Sequence, residues 1–298
     1  MAIPPAGATS YLSARTEFLA KTQNSDGGWG YFPGKQSWIE PTAWSLIALH
    51  GRPESTRAWQ RILSWQGADG SWRAGQDVQV NSWATALCVT IAHARNEFGE
   101  PYKRGLHWLL NTSAAETNLK SKLLTAVGFD QGRNTNHKAW PWKPGDSSWI
   151  EPTAHSLVAL KFARKRLNLP EISKRIEMGE AAILDQRCRD AGWNYGNTRV
   201  LGNDLPSYPE TTGLALLGLQ QSKTDLSGSL QLAEKVMQQR QGRMASAWLT
   251  IALRLHGRPA PESQHLELSV SGDILVTALE AIGVPGGPLA VLRTGDGA

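Results

Sequence analysis

One phrase is written twice in this chain. SWIEPTAWSLIAL runs from Ser37 to Leu49, and SWIEPTAHSLVAL runs from Ser148 to Leu160. Similarity at such long spacing is the mark of a repeat architecture, in which each unit buries its apolar face only by packing on the next. The echo extends upstream, where Trp29–Leu49 lies over Trp140–Leu160. Looser copies follow at Ser207–Leu219 (SYPETTGLALLGL) and Asp273–Ile282 (DILVTALEAI). NSWATALCVT (Asn81–Thr90) and SAWLTIAL (Ser246–Leu253) fit the same frame without the acid.

Each copy has helical periodicity and reads as a buried helix. Aligning the copies places a small residue at one early position: Ala43, Ala84, Ala154, Gly213 and Ala247, with Val276 the exception. A small side chain there lets a neighbouring backbone come close. Between these segments lie amphipathic ones: Tyr11–Gln23, Pro53–Gln66, Glu100–Leu110, Pro170–Arg187 and Leu226–Arg240. Each of these has one face for water. The last pair is the weakest, because Pro259–Ser271 has little helical character. The pattern predicts an all-α chain forming one domain over residues 1–298. An insertion falls around residues 112–139, with a short helix near Glu116–Val127, and a tail covers residues 285–298. Six pairs of buried and amphipathic helices can close into an α6/α6 toroid, with the buried helices parallel and their N-termini on one rim. An open helical solenoid is the alternative; no terminal repeat reads as a polar cap, which favours closure.

Composition narrows the classes. Thirteen Trp against five Phe and five Tyr point to rings used for shape, stacking or an N–H. The net charge of +5 is mild. The basic stretch Lys161–Arg175 reads as a solvated helix end, with a contact to an anionic membrane surface or phosphate as the alternative. No nucleic-acid-binding motif is visible, so no nucleic-acid partner is expected. Two cysteines, Cys88 and Cys188, make no disulfide framework and fit a reducing compartment. No signal peptide and no run of about 18 apolar residues is found, so the expected location is the cytoplasm.

The turns after the amphipathic segments read FLAKTQNSDGGWG (Phe18–Gly30), ILSWQGADGSW (Ile62–Trp72) and AILDQRCRDAGW (Ala182–Trp193). In each a Gln precedes a Trp by six or seven residues, with Gly before the Trp. This resembles the Gln–Trp repeat of squalene–hopene cyclases and related terpene cyclases, which also occurs in protein prenyltransferase β subunits. The resemblance covers most of the chain and implies an α6/α6 toroid. Read from the residues alone, Gly27 and Gly28 permit a tight bend. Gln23 can bond backbone at a helix end and Trp29 can cover it.

The resemblance also locates candidate chemistry. Terpene cyclases of this type protonate an alkene or epoxide with the middle Asp of an Asp-x-Asp-Asp-Thr-Ala motif at the start of an inner helix. Aligned on Thr-Ala, Glu40 and Glu151 fall on that Asp, while Trp38 or Trp149 and Pro41 or Pro152 replace its neighbours. The candidate acids are therefore Glu40, Glu151 and Glu210. Trp38, Trp149, Trp44, Tyr208, His155 and Asp273 are the candidate substrate-binding groups. The other reading of the glutamates is helix capping. Ser207–Glu210 fits a capping box, whereas Pro41 as first helical residue makes Glu40 the N-cap. No metal site or cofactor is expected: the zinc-ligand pattern of the prenyltransferases, the complement-type thioester and phosphate-binding loops are all missing. The expected function is a terpene cyclase-like enzyme acting on an isoprenoid or other apolar chain in a central cavity, by acid-initiated cyclisation or isomerisation. The alternative is a non-catalytic toroid that binds a hydrophobic ligand or a protein partner at its acidic rim.

Overall fold

The computed structural model describes residues 6–126, 134–200, 203–260 and 269–295. The protein is all-α. Its helices are α1 (Ala6–Lys21), α2 (Ile39–Ala48), α3 (Pro53–Leu63), α4 (Ala84–Ala94), α5 (Glu100–Asn111), α6 (Leu119–Ala126), α7 (Ile150–Arg166), α8 (Pro170–Asp185), α9 (Pro209–Gly218), α10 (Ser227–Met237), α11 (Arg243–Leu255) and α12 (Ile274–Gly283). Two short antiparallel ribbons, Trp72–Arg73 with Asn81–Ser82 and Arg199–Val200 with Asn203–Asp204, decorate the loops before α4 and α9. The insertion forms a 3-10 turn at Ala115–Thr117 and then α6. Much of the weakly helical Pro259–Ser271 segment lies outside the described residues.

Helices α2, α4, α7, α9, α11 and α12 are the repeat copies, and most residues of α2, α4, α7, α9 and α12 are buried, whereas α11 buries its second half from Ala247 onward. Helix α2 packs on α4, α4 on α7, α7 on α9, α9 on α11, α11 on α12, and α12 back on α2. The amphipathic helices cover this circuit: α3 lies on α2, α5 on α4, α8 on α7, α10 on α9 and α11, and α1 on α12. The small residues serve the close approaches. A Cβ on Gly213 would stand 2.8 Å from the Trp248 carbonyl carbon of α11, and one on Gly218 would stand 2.7 Å from the Ala154 Cα of α7.

Backbone bonds tie each repeat to the next. The N–H of Ile39 donates to Ala74 O at 2.9 Å, Trp83 to Trp142 O at 3.1 Å, Ile150 to Tyr195 O at 3.3 Å, and Ile274 to Tyr31 O at 2.9 Å. Every acceptor lies in the turn that leads into another buried helix, so the N-termini of α2, α4, α7, α9 and α12 sit at one end of the molecule. The last bond joins the first turn to the last helix. A buried ion cluster reinforces that seam, with Glu280 of α12 accepting from Arg15 Nε of α1 at 2.8 Å and from Arg243 Nε of α11 at 2.7 Å.

The recurring turn holds itself together as its residues suggest. Gln23 Nε2 donates to Gly27 O and, across to the start of α3, to Glu54 O; Gln66 Nε2 does the same with Gly70 O and Pro101 O. The indole N–H groups of Trp29, Trp72 and Trp193 donate to Leu19, Ile62 and Ile183 carbonyls at the ends of α1, α3 and α8. Gly27 and Gly70 adopt φ of 86° and 89°, where a side chain would also strike the Arg57 and Arg104 carbonyls. Gln186 departs from the pattern, because its Oε1 is buried without a partner.

Candidate active site

The glutamates of the repeated phrase sit in the first turn of their helices without capping them. Helix α2 begins at Ile39 with Trp38 as N-cap, α7 begins at Ile150 after Trp149, and α9 begins at Pro209 after Tyr208. None of these three N-cap residues makes a side-chain cap bond. The expectation that Glu40 is the N-cap is therefore corrected. The bond from Ile39 N–H to Ala74 O starts the helix two residues before Pro41, and a proline in the first turn has no N–H to satisfy. The capping box is corrected as well: Ser207 Oγ donates to Asp190 and Ser37 Oγ to Asp26, both in the turns behind. Asp273 alone of the four acids caps, accepting from Val276 N–H at 3.1 Å.

Freed from capping, the acids converge. Tyr31 Oη donates to Glu40 Oε2 at 2.6 Å. Burial pushes the Glu40 carboxyl above its ordinary value; the Tyr31 bond opposes this, and the charges of Asp273 and Glu210 add to it. Glu151 is held well above the usual carboxylate range, by burial first and then by Glu40 and Glu210. Burial also raises Glu210. Tyr31 is pushed upward by burial and by Glu40, Glu151 and Asp273. The charges of Glu210 and Asp273 thus bear on Glu40, and those of Glu40 and Glu210 on Glu151, and among the described residues no lysine or arginine pairs with any of these four acids. Helix N-termini stabilise negative charge, but here burial and mutual repulsion prevail.

One helical turn deeper the chemistry changes. Residues four apart share a helix face, so Trp44 lies under Glu40 and His155 under Glu151. His155 Nε2 is 3.9 Å from Glu151 Oε1, with the two side chains 2% and 15% exposed. Burial pushes the imidazole down to about 3, so it is neutral. Its ring stacks on Trp83 at 5.1 Å and 27°, lies 5.5 Å from Trp44 and 5.9 Å from Trp248. Trp44 meets Trp248 edge-on at 5.1 Å, and Trp83 meets Trp142 the same way at 5.1 Å. Helices α2, α7 and α11 are not consecutive in the order of packing, so these rings bring together helices from separate repeats. Trp44 and His155 form part of this aromatic floor. Trp38 lies against Gly75 and 6.4 Å from Tyr31, and the backbone N–H of Trp149 donates to Trp140 O. Tyr208 is 43% exposed and pairs with Tyr195 at 5.6 Å.

Tyr31, Trp142 and Tyr195 are site residues that the sequence reading passed over. Each follows a turn Trp (Trp29, Trp140, Trp193) by two positions, a spacing that marks them. Burial and the charges of Glu210 and Glu151 push the Tyr195 hydroxyl upward, which places it beside the acids. Among the described residues no cluster of three His, Cys, Asp or Glu forms a metal site, Cys88 and Cys188 are free thiols, and no helix is long and apolar enough to cross a membrane.

No family profile matches the chain. A 66-residue stretch is 41% identical to the drimenyl diphosphate synthase of Streptantibioticus cattleyicolor, covering 21% of this chain and 12% of that protein. A 122-residue stretch is 31% identical to an uncharacterized protein of Bradyrhizobium diazoefficiens, covering 38% of this chain and 22% of that one. Both matches span less than a quarter of the relative's own length. Among solved structures, the type II terpene cyclase MstE from Scytonema superimposes with a TM-score of 0.56 at 14% identity, over 94% of this chain and 79% of that one. An α-amylase from Clostridium perfringens gives 0.61 at 9% identity over 97% and 99%. An α-1,6-mannanase from Salegentibacter, seen with α-1,6-mannotriose, gives 0.58 at 10% identity over 96% and 99%. At such identities the likeness is one of fold, and the chain has a terpene cyclase-like, helical fold that glycoside hydrolases share.

Proposed function

We propose that the chain forms an α6/α6 toroid, with the buried helices as inner ring and the Gln–Trp turns as its repeat, and that it is a terpene cyclase-like enzyme acting on an isoprenoid or similar apolar chain. The observation that supports this reading is Glu151: a largely buried carboxyl, raised well above its ordinary value, without a cationic partner among the described residues and one helical turn from His155 and its stack on Trp83. A carboxyl whose pKa is raised keeps its proton to higher pH than a free Glu and is better equipped to act as a general acid. Its O–H bond breaks as an alkene π pair takes the proton, leaving a cation on the adjacent carbon. Ring faces of Trp38, Trp149, Trp44 and Tyr208 stabilise that cation by about 2 kcal/mol or more where water is excluded. Glu40, whose charged form is favoured by Tyr31, is the base that removes a proton at the end. Glu40 and Glu210 add to the burial that holds the Glu151 carboxyl above its ordinary value, Asp273 acts on Glu40, and His155, itself neutral, lies 3.9 Å beneath the Glu151 carboxyl. The partial likeness to a drimenyl diphosphate synthase supports an isoprenoid over a sugar.

The second reading is a non-catalytic toroid that holds a hydrophobic ligand or a protein partner at the acid-lined end. The mutual packing of Trp44, Trp83, His155 and Trp248 beneath the acids favours it. Mass spectrometry of squalene-type and polyprenyl substrates incubated with the wild type, Glu40→Gln and Glu151→Gln decides between them. Product from the wild type that Glu151→Gln abolishes supports acid catalysis. Turnover unchanged in both variants removes these acids from the reaction, and absence of any product with tight ligand binding selects the second reading.

A further inference from the structure

Two tyrosines of the turns link the four acids in pairs. Tyr31 donates through its hydroxyl to Glu40 Oε2 at 2.6 Å, and its carbonyl accepts at 2.9 Å from the N–H of Ile274, the residue after Asp273. The Tyr195 carbonyl accepts at 3.3 Å from the N–H of Ile150, the residue before Glu151, and the Tyr195 ring lies 5.6 Å from that of Tyr208, two residues before Glu210. Glu40, Glu151, Glu210 and Asp273 are each partly exposed, and Tyr195 and Tyr208 are exposed. A molecule arriving at this end therefore meets carboxyls and tyrosine rings together.

The field there is of one sign. After burial, the charges that push Glu40 and Glu151 upward are those of other carboxyls: Asp273 and Glu210 at the first, Glu40 and Glu210 at the second. Beneath Glu151, His155 Nε2 is unpartnered on a side chain 2% exposed and faces Glu151 Oε1 at 3.9 Å, and its ring is neutral. Cations in the neighbouring turns have other partners: Lys143 pairs with Asp146 at 3.8 Å, and Arg189 and Arg199 pair with Asp204 at 2.7 and 3.9 Å. Crowded carboxyls favour a cation and oppose an anion, and they act through space, so not every one must touch the ligand. Tyrosine ring faces favour a cation in the same sense.

We propose that this end selects its ligand by head-group charge, preferring a protonated amine to a neutral alcohol and refusing a phosphate ester, with Glu210 and Asp273 as specificity-determining residues beside Glu40. The proposal rests on the reading that an apolar chain is held at the acid-lined end, whether or not it is turned over. The test is the affinity of the protein for farnesylamine, farnesol and farnesyl diphosphate, which share one tail, by quenching of Trp fluorescence at neutral pH. The amine is expected to bind about tenfold tighter than the alcohol, and the diphosphate about a hundredfold more weakly than the alcohol. The chain as a whole carries a net charge of +5, so non-specific attraction works in the opposite order. Combining Glu210→Gln with Asp273→Asn is expected to narrow the gap between amine and diphosphate about tenfold; both positions are partly exposed and Asn keeps the cap of α12, so the variant folds. A bound cation favours ionised carboxyls, so the affinity of the wild type for the amine is expected to rise with pH up to neutrality. Equal affinity for the three ligands, tightest binding of the diphosphate, or a gap that the double variant leaves unchanged overturns the proposal and leaves the cyclase reading standing. The expected order without turnover of squalene-type or polyprenyl substrates upholds the proposal and removes the cyclase reading alone. Binding of none of the three overturns the proposal together with the reading it rests on.

Discussion

Replacing Glu151 by Gln tests the electrostatics of the acid-lined end without changing its shape. Gln retains the size of a protonated carboxyl but cannot ionise. In the folded wild type, burial and the neighbouring Glu40 and Glu210 charges hold Glu151 well above its ordinary value, whereas in the unfolded chain a Glu titrates at about 4.3. Between those two values the folded state holds a proton that the unfolded state has released. Stability associated with this group is complete below the unfolded value and is lost as pH rises through the window to the folded value. One proton corresponds to a slope of about 1.4 kcal/mol per pH unit. Glu151→Gln lacks that slope. Its unfolding free energy, relative to wild type, is expected to rise by about 1.4 kcal/mol per pH unit from about pH 4.3 upward and to level off once the folded carboxyl has ionised. Coupling to Glu40 spreads the transition over a wider range without changing its direction. Urea unfolding followed by Trp fluorescence at a series of pH values measures the difference, with equal m-values as the control. A difference that stays constant with pH, or that shrinks as pH rises, refutes the reasoning, because it would mean that the Glu151 carboxyl is not raised in the folded protein.

Two further outcomes follow from single contacts. Tyr31→Phe removes the donor that favours ionised Glu40, so the Glu40 carboxyl is expected to titrate higher in carbon-detected NMR of labelled Glu; an unchanged titration would show that this bond is not kept in solution. Gly213→Ala places a methyl 2.8 Å from the Trp248 carbonyl carbon, and is expected to destabilise the protein by about 1–3 kcal/mol in urea unfolding as α9 and α11 are forced apart.

The buried helices were legible because a repeat shows the same small residue at the same place, and Gly213 and Ala154 do lie where backbones approach. The turn was legible too, since Gln23, Gly27 and Trp29 act within a few residues of one another. Helix starts were not. Pro41 read as the first helical residue because the acceptor that draws the helix back to Ile39 is Ala74 O, in another repeat; local sequence carries no sign of it. The acids were found by alignment, but their lack of capping duty depends on Asp26 and Asp190 taking the serines. The aromatic floor illustrates the same divide: Trp44 and His155 were chosen one by one, while their meeting with Trp248 depends on the radius of the helix circuit. Tyr31 and Tyr195 could have been found, because an aromatic two positions after a turn Trp recurs in three repeats.

The bond from Ile274 to Tyr31 ties the order of assembly to synthesis. Asp273 reaches Tyr31 and Glu40 only once the final buried helix has docked against the first turn, so the four carboxyls do not crowd together while earlier helices are still being made. The repulsion that Asp273 adds at Glu40 therefore enters only with that helix, whose Glu280 also joins Arg15 to Arg243. A nascent chain that stalls before residue 273 would carry five buried helices and an incomplete, less strained set of acids.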